Sequence, residues 1–374
     1  MRTRADMFVY RFIPTTVNAV NYHNLVIGHA DNAFFNTIPS FLTEVSILNS
    51  MHIRWLTVPQ RSNISTLNVS FTGLRRIDME KNDVLTEFIV ASGNIAEISP
   101  SIRNLQASRE ICITNCLIES LDLGTFCDMS KLQVLNVYGN RITHIQNSAK
   151  SNCSLYDSLE MLTLSQNFLQ SLNMELFNPF RILTLLNINE NNIGAVFGKY
   201  KTDTDLRLFL SKNRIKTINV CEWNVPLMVW LDLRHNSLTA VPNCLEKLNG
   251  VRDLDLSFNQ LRNVTVESFA KMDSLLRLIM SSNNMTTISF NTTRYPVNLK
   301  TVWITENKLT ELDLSLVAVP SLEIYVDNNF IENVDVSNVS KNVTLLQMKN
   351  NPIDCSWNTV EERLNLTCIE NRIV

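Results

Sequence analysis

Apolar positions recur along this chain in a fixed frame, with aliphatic residues at places 1, 4 and 6 and a polar residue at place 9. In one unit, Leu132, Leu135 and Val137 fill the apolar places, Asn140 fills the polar one and Ile142 follows. The alternation of Leu135 and Val137 has a period of two, which predicts a short strand with one buried face. The polar place is asparagine ten times, at Asn140, Asn167, Asn191, Asn213, Asn236, Asn259, Asn283, Asn307, Asn329 and Asn351, spaced 22 to 27 residues apart. Thr72, Gly93 and Cys116 fill it upstream, and Ser50 before them.

A unit of about 23 residues cannot bury its own apolar face, so neighbouring units must stack. Every unit starts its strand at the same place, so the strands should lie parallel, about 4.7–4.9 Å apart. An asparagine carries one acceptor and two donors. Set inside each turn, it can satisfy backbone groups left unpaired where the chain leaves the strand, and stacking repeats that bond as a ladder.

The frame LxxLxLxxN resembles the leucine-rich repeat, over roughly residues 40–368. Leu121 with Phe126, Leu172 with Phe177, Val264 with Phe269, and Val241–Pro242 after Leu238 match the later part of its extracellular form. The resemblance implies an α/β-type repeat: a right-handed solenoid with a curved parallel sheet on its concave face and irregular or short helical convex returns. It divides the chain into a degenerate N-terminal segment (1–39), an array of about 13–14 units (40–353) and a reduced cysteine cap (354–374). Cys355 and Cys368, in NPIDCSWNTVEERLNLTC, resemble the cap that closes extracellular arrays.

The frame also places the other cysteines. Cys221 and Cys244 each lie eight residues after their asparagine, at equivalent stations of adjacent turns within disulfide reach. Cys127 and Cys153 occupy nearly equivalent stations on neighbouring returns. Cys116 fills the asparagine slot, and Cys112 should project to the open face as an unpaired thiol or a link to a partner chain. Nine N-x-S/T sequons begin at Asn63, Asn68, Asn152, Asn263, Asn284, Asn291, Asn338, Asn342 and Asn365. With three sensible cysteine pairs they point to an oxidising compartment, hence secretion. Arg2, Arg4 and Arg11 flank a Met7–Tyr10 run too short for a signal-peptide core, so a signal peptide is expected to be missing from this sequence.

Net charge of −3 gives no nucleic-acid or anionic-membrane footprint, and no apolar run is long enough to span a membrane. The eight glycines form no phosphate-cradling loop, and the five histidines are not spaced as metal ligands. No catalytic constellation, cofactor or metal site is expected.

Places 2, 3, 5, 7 and 8 should point out of the strand ladder. Their aromatic residues are Phe71, Tyr138, Phe209, Trp230, Phe258, Trp303 and Tyr325, concentrated in the C-terminal half. Asp232, Arg234, His235, Arg252, Asp253, Asp255, Arg277 and Lys300 accompany them. Tryptophan and tyrosine dominate many binding interfaces. Phe209, Trp230, Asp232, Arg252, Asp255, Phe258, Trp303 and Tyr325 are therefore the candidate partner-binding residues; the alternative is that the rings shield the sheet and the charges pair along adjacent strands. Asn68 also faces outward, where a glycan would obstruct the N-terminal part of that face. The divergent frames and reduced cap are similar to mosquito leucine-rich immune proteins. That resemblance implies extracellular recognition of complement-like thioester proteins or microbial surfaces. Members that form disulfide-linked heterodimers carry a coiled coil after the repeats, whereas this chain ends six residues beyond Cys368. An adhesion or receptor ectodomain without its anchor and an intracellular scaffold are the other readings.

Overall fold

The computed structural model describes residues 10, 12–60, 62–149 and 151–371. Arg2, Arg4, Arg11 and most of the Met7–Tyr10 run lie outside them. Two compact units are present, one of residues 1–169 and 179–191, the other of residues 170–178 and 192–374.

In the first unit eight strands pair in parallel: Ala19–His23, Glu44–Leu48, Thr66–Ser70, Glu87–Ala91, Glu110–Thr114, Val134–Asn136, Met161–Thr163 and Leu185–Asn187. In the second, seven do so: Arg207–Phe209, Trp230–Asp232, Asp253–Asp255, Arg277–Ile279, Thr301–Trp303, Leu322–Tyr325 and Val343–Gln347. The fold is a parallel β-sheet solenoid of about 14 turns with few helices. From Glu44–Leu48 onward the central inward residue of each strand is an aliphatic or Phe88 and is buried, while Ala19–His23 buries Tyr22 and leaves Val20 half-buried.

The asparagines bind successive turns together. Asn140 Nδ2 donates to Val137 O of its own turn (2.9 Å) and to Ile113 O of the preceding one (2.7 Å), while Oδ1 accepts from Ile118 N at 3.3 Å. Asn236 repeats this with Leu233 O, Leu210 O and Ile215 N, each at 3.0 Å. All ten slot asparagines are 8% exposed or less. A net hydrogen bond contributes about 0.5–1.5 kcal/mol, but a buried group left unpaired costs about 1–3 kcal/mol, so the amide is needed more than its net worth suggests. Ser50 does part of the work with one oxygen, accepting from Leu25 N and donating to Leu48 O. Cys116 donates weakly to Thr114 O.

The residue before the slot turns left-handed. From Asn49 to Asn350, thirteen non-glycine residues at this place have φ between 51° and 58°, among them Phe71, Ser92, His235 and Phe258. Gly139 (φ 69°) and the asparagines Asn49, Asn115, Asn328 and Asn350 meet the conformation with residue types that suit it; the rest do not.

The returns carry the short helical turns expected and, before them, a feature the sequence did not show. Second, shorter parallel ladders run along them: Ser120–Asp122 with His144–Gln146, Ser171–Asn173 with Ala195–Phe197, and Asn263–Thr265 with Thr287–Ser289. Leu121, Leu172 and Val264 are their buried centres. The next residues wind into 3₁₀ turns, Leu123–Phe126, Met174–Phe177 and Val266–Phe269, each closed by a buried phenylalanine. Asp122, Asn173 and Thr265 cap those turns by accepting a backbone N–H two residues on. Two more extended residues thus precede each helix because their outer backbone groups find partners on the next turn.

Three disulfides join Cys127 to Cys153, Cys221 to Cys244 and Cys355 to Cys368, with Cα separations of 4.9, 4.9 and 4.5 Å. At the C-terminal end Ile353–Asp354 pairs antiparallel with Ile369–Glu370, and buried Trp357 exchanges backbone hydrogen bonds with Leu346. A capping box of Thr359 and Glu362 starts the helix Val360–Leu364.

Candidate functional site: the outward face of the second unit

Strand register sorts the outward residues of the second unit into rows. One row runs Arg207, Trp230, Asp253, Arg277, Thr301, Glu323; the other runs Phe209, Asp232, Asp255, Ile279, Trp303, Tyr325. None of the seven rings expected to face outward is buried. Phe258 and Trp303 are the most open of those in this unit, 46% and 37% exposed.

The rings pair between neighbouring strands. Trp303 stacks on Tyr325 with centroids 3.8 Å apart and planes 4° from parallel. His235 stacks on Phe258 at 4.0 Å and 13°, both held outward by their left-handed backbone. Phe209 meets Trp230 at 5.9 Å in a tilted contact. Tyr325 Oη donates to Glu323 Oε2 at 3.2 Å; burial, and then the Glu323 charge, raises the phenol's pKa.

Charges also pair along the strands. Arg277 Nε binds Asp253 on the adjacent strand. Arg234 Nη2 lies 3.0 Å from Asp232 Oδ2, and its Nε 3.7 Å from Asp255 Oδ2. Asp232 and Asp255 depart from the expectation that they offer contact groups. They occupy outward places, yet Asp232 is 1% and Asp255 7% exposed, and their carboxylates are taken up by Arg234 and by the turns that follow them. Asp232 Oδ1 accepts from Arg234 N, and Asp255 Oδ1 accepts from Ser257 N and Oγ. They form the floor that holds Arg234 and the turns in place. Burial, with Asp255 adding to it, raises the pKa of Asp232 against the opposing pull of Arg234. Arg252 and Lys300 form no ion pair among the described residues and leave their charges to solvent.

Cys112 is the other departure. It occupies an outward place in the first unit but is only 9% exposed, between Ile89 and Asn136 in register. Its thiol donates to Glu110 Oε1 at 3.1 Å, and burial pushes its pKa up to about 12. Both Cys112 and Cys116 are unpaired. A covered, protonated thiol is a poor nucleophile and a poor cross-linker.

Of the sequon asparagines, Asn63, Asn152, Asn263, Asn291, Asn338 and Asn365 are exposed, and Asn68, Asn284 and Asn342 half-buried. The six in the second unit all lie off its main strands, in returns, turns or the cap. Asn68 alone sits on a main strand, in the first unit. Among the described residues no group of three or more His, Cys, Asp or Glu could hold a metal ion, and no helix is long and apolar enough to cross a membrane.

No protein-family model matches the chain. Lumican from Coturnix japonica is 26% identical over 264 residues, covering 66% of this chain and 75% of lumican. A chain in the crystal structure of the LRIM1/APL1C complex superposes with a TM-score of 0.62 at 20% identity, over 89% of this chain and 61% of that one. One in the Drosophila Toll–Spatzle complex does so with a TM-score of 0.61 at 18% identity, over 87% and 47%. The chain spans less than two thirds of either structural neighbour, and at these identities the likeness is one of fold. By fold it is a leucine-rich repeat protein, similar in sequence to lumican.

Proposed function

We propose that this chain is a non-enzymatic, extracellular protein-recognition scaffold of insect innate immunity. It binds a protein or microbial-surface partner through the outward strand face of its second unit. The observation that carries this reading is a strand face without sequons. Six sequons in that unit lie off its main strands, while the strands carry Phe209, Trp230, Phe258, Trp303 and Tyr325. Rings already stacked on their neighbours lose little conformational freedom on binding, which favours affinity. Carboxylates already neutralised by Arg234 and Arg277 lower the cost of removing water from the face. Arg252 and Lys300 supply unpaired charge at its edge, where it acts on association rate more than on affinity.

The disulfides and exposed sequons support an oxidising compartment. Likeness of fold to chains of the LRIM1/APL1C and Toll–Spatzle complexes supports a recognition role. The test is recovery of partners from insect haemolymph by the wild-type chain and by a Trp230→Ala/Trp303→Ala variant. Equal recovery of every partner rejects the assignment.

A further inference from the structure

The first unit presents a second, chemically different surface. Its outward row runs Glu44, Thr66, Glu87, Glu110, Val134, Met161, Leu185, one residue per strand in continuous register. Two features distinguish it from the corresponding row of the second unit. Glu87 and Glu110 are direct neighbours, a like-charged cross-strand pair that disfavours the sheet unless something compensates it. Among the described residues neither forms an ion pair; Glu87 accepts from Thr66 Oγ1, Glu110 from the Cys112 thiol, and Arg109 pairs with neither. Beside them Val134, Met161 and Leu185 form an aliphatic row that is not buried, with Met161 37% exposed. In the second unit, by contrast, Asp253 is answered by Arg277 on the next strand.

We propose that this face docks a protein segment in which adjacent basic side chains are followed by aliphatic or aromatic ones. The occupant follows from complementarity. Two glutamates on strands about 4.7–4.9 Å apart match a Lys or Arg pair, and three apolar residues on successive strands match an apolar run crossing them. The Cys112 thiol reports the same field, its ionisation opposed by Glu110 and Glu87 in addition to burial. Asn68 lies one strand beyond Glu87, so a glycan there borders the acidic end and leaves the aliphatic end open.

Fluorescence anisotropy with synthetic peptides of about twelve residues tests this. One peptide carries an Arg-Lys pair followed by alternating leucines, a second has Glu in place of the basic pair, and a third is oligolysine. The first should bind, weaken as salt is raised, and lose at least about tenfold in affinity to Glu87→Gln/Glu110→Gln and to Met161→Asp. Only the former variant should also flatten the salt dependence. Equal binding of the Glu peptide, oligolysine binding as tightly as the first, or unchanged affinity in either variant overturns the proposal. Should a variant fail to fold, the three peptides on the wild-type chain decide.

Discussion

Trp303 and Tyr325, one strand apart, lie face to face with ring centroids 3.8 Å apart. Each ring covers one face of the other and leaves the remaining surface to solvent. Such a contact contributes about 0.5–1.5 kcal/mol beyond area burial. Trp303→Ala should therefore lower unfolding free energy by about 1–2 kcal/mol and leave the circular dichroism of the fold unchanged, while partner recovery falls. A loss above about 4 kcal/mol would mean that the ring is a core residue and not a surface one.

Asn236 makes the opposite case. Its amide joins Leu233 and Leu210 carbonyls to the Ile215 N–H inside the sheet. Asn236→Ala leaves three buried backbone groups short of a partner, so a loss of about 2–4 kcal/mol is expected. Chemical denaturation measures it, and hydrogen exchange should accelerate at the Ile215 amide. Unchanged protection at Ile215 would show that the ladder does not hold the turns together.

The left-handed place before each slot makes a backbone prediction. Among the described residues Ser92 (φ 56°) makes no side-chain hydrogen bond, so its side chain does not compensate the conformation. Ser92→Gly should be neutral or stabilising by up to about 1 kcal/mol, and Ser92→Val destabilising by about 1–2 kcal/mol. Thermal unfolding of the two variants compares them directly, and the reverse order would refute the conformational argument.

Asp232 gives a pH dependence whose sign is fixed. Its folded pKa is raised by burial, so the folded state holds the proton more tightly than the unfolded chain. The linked stability is present below the unfolded value of about 4 and is lost as pH rises through the folded pKa. As pH falls from 7 towards 4, the wild type should gain stability relative to Asp232→Asn. Parallel thermal-unfolding profiles across that interval would contradict the buried placement of the carboxylate.

The sequence made the asparagine ladder legible because one side chain meets its hydrogen-bonding needs at every turn, and its spacing then located Cys221 against Cys244. The second ladders were harder to read. Ser120–Asp122 and its neighbours contribute one buried residue each, too few to show a period, although Leu121 and Phe126 marked the place. The left-handed residues left only a partial trace, Asn or Gly at Asn49, Asn115, Gly139, Asn328 and Asn350, since turn geometry imposes that conformation on Phe71, Ser92 and His235 as well. Outward places were assigned correctly, but exposure was not. Asp232, Asp255 and Cys112 are buried while hydrogen-bonded to Arg234, Ser257 and Glu110, contacts that the apolar frame does not contain. The row Val134, Met161, Leu185 was open to the same reading, taken down the frames at place 3, and escaped because only aromatic residues drew attention.

The second unit's strand face is proposed to receive the partner. Hydrogen–deuterium exchange of the chain, free and bound to whatever haemolymph partner it recovers, tests this most directly. New protection is expected at the main strands and the turns that follow them, over residues 230–235, 253–258, 301–303 and 322–325. Protection confined to the return ladders, such as 195–197 and 287–289, with those strands unchanged, would contradict it.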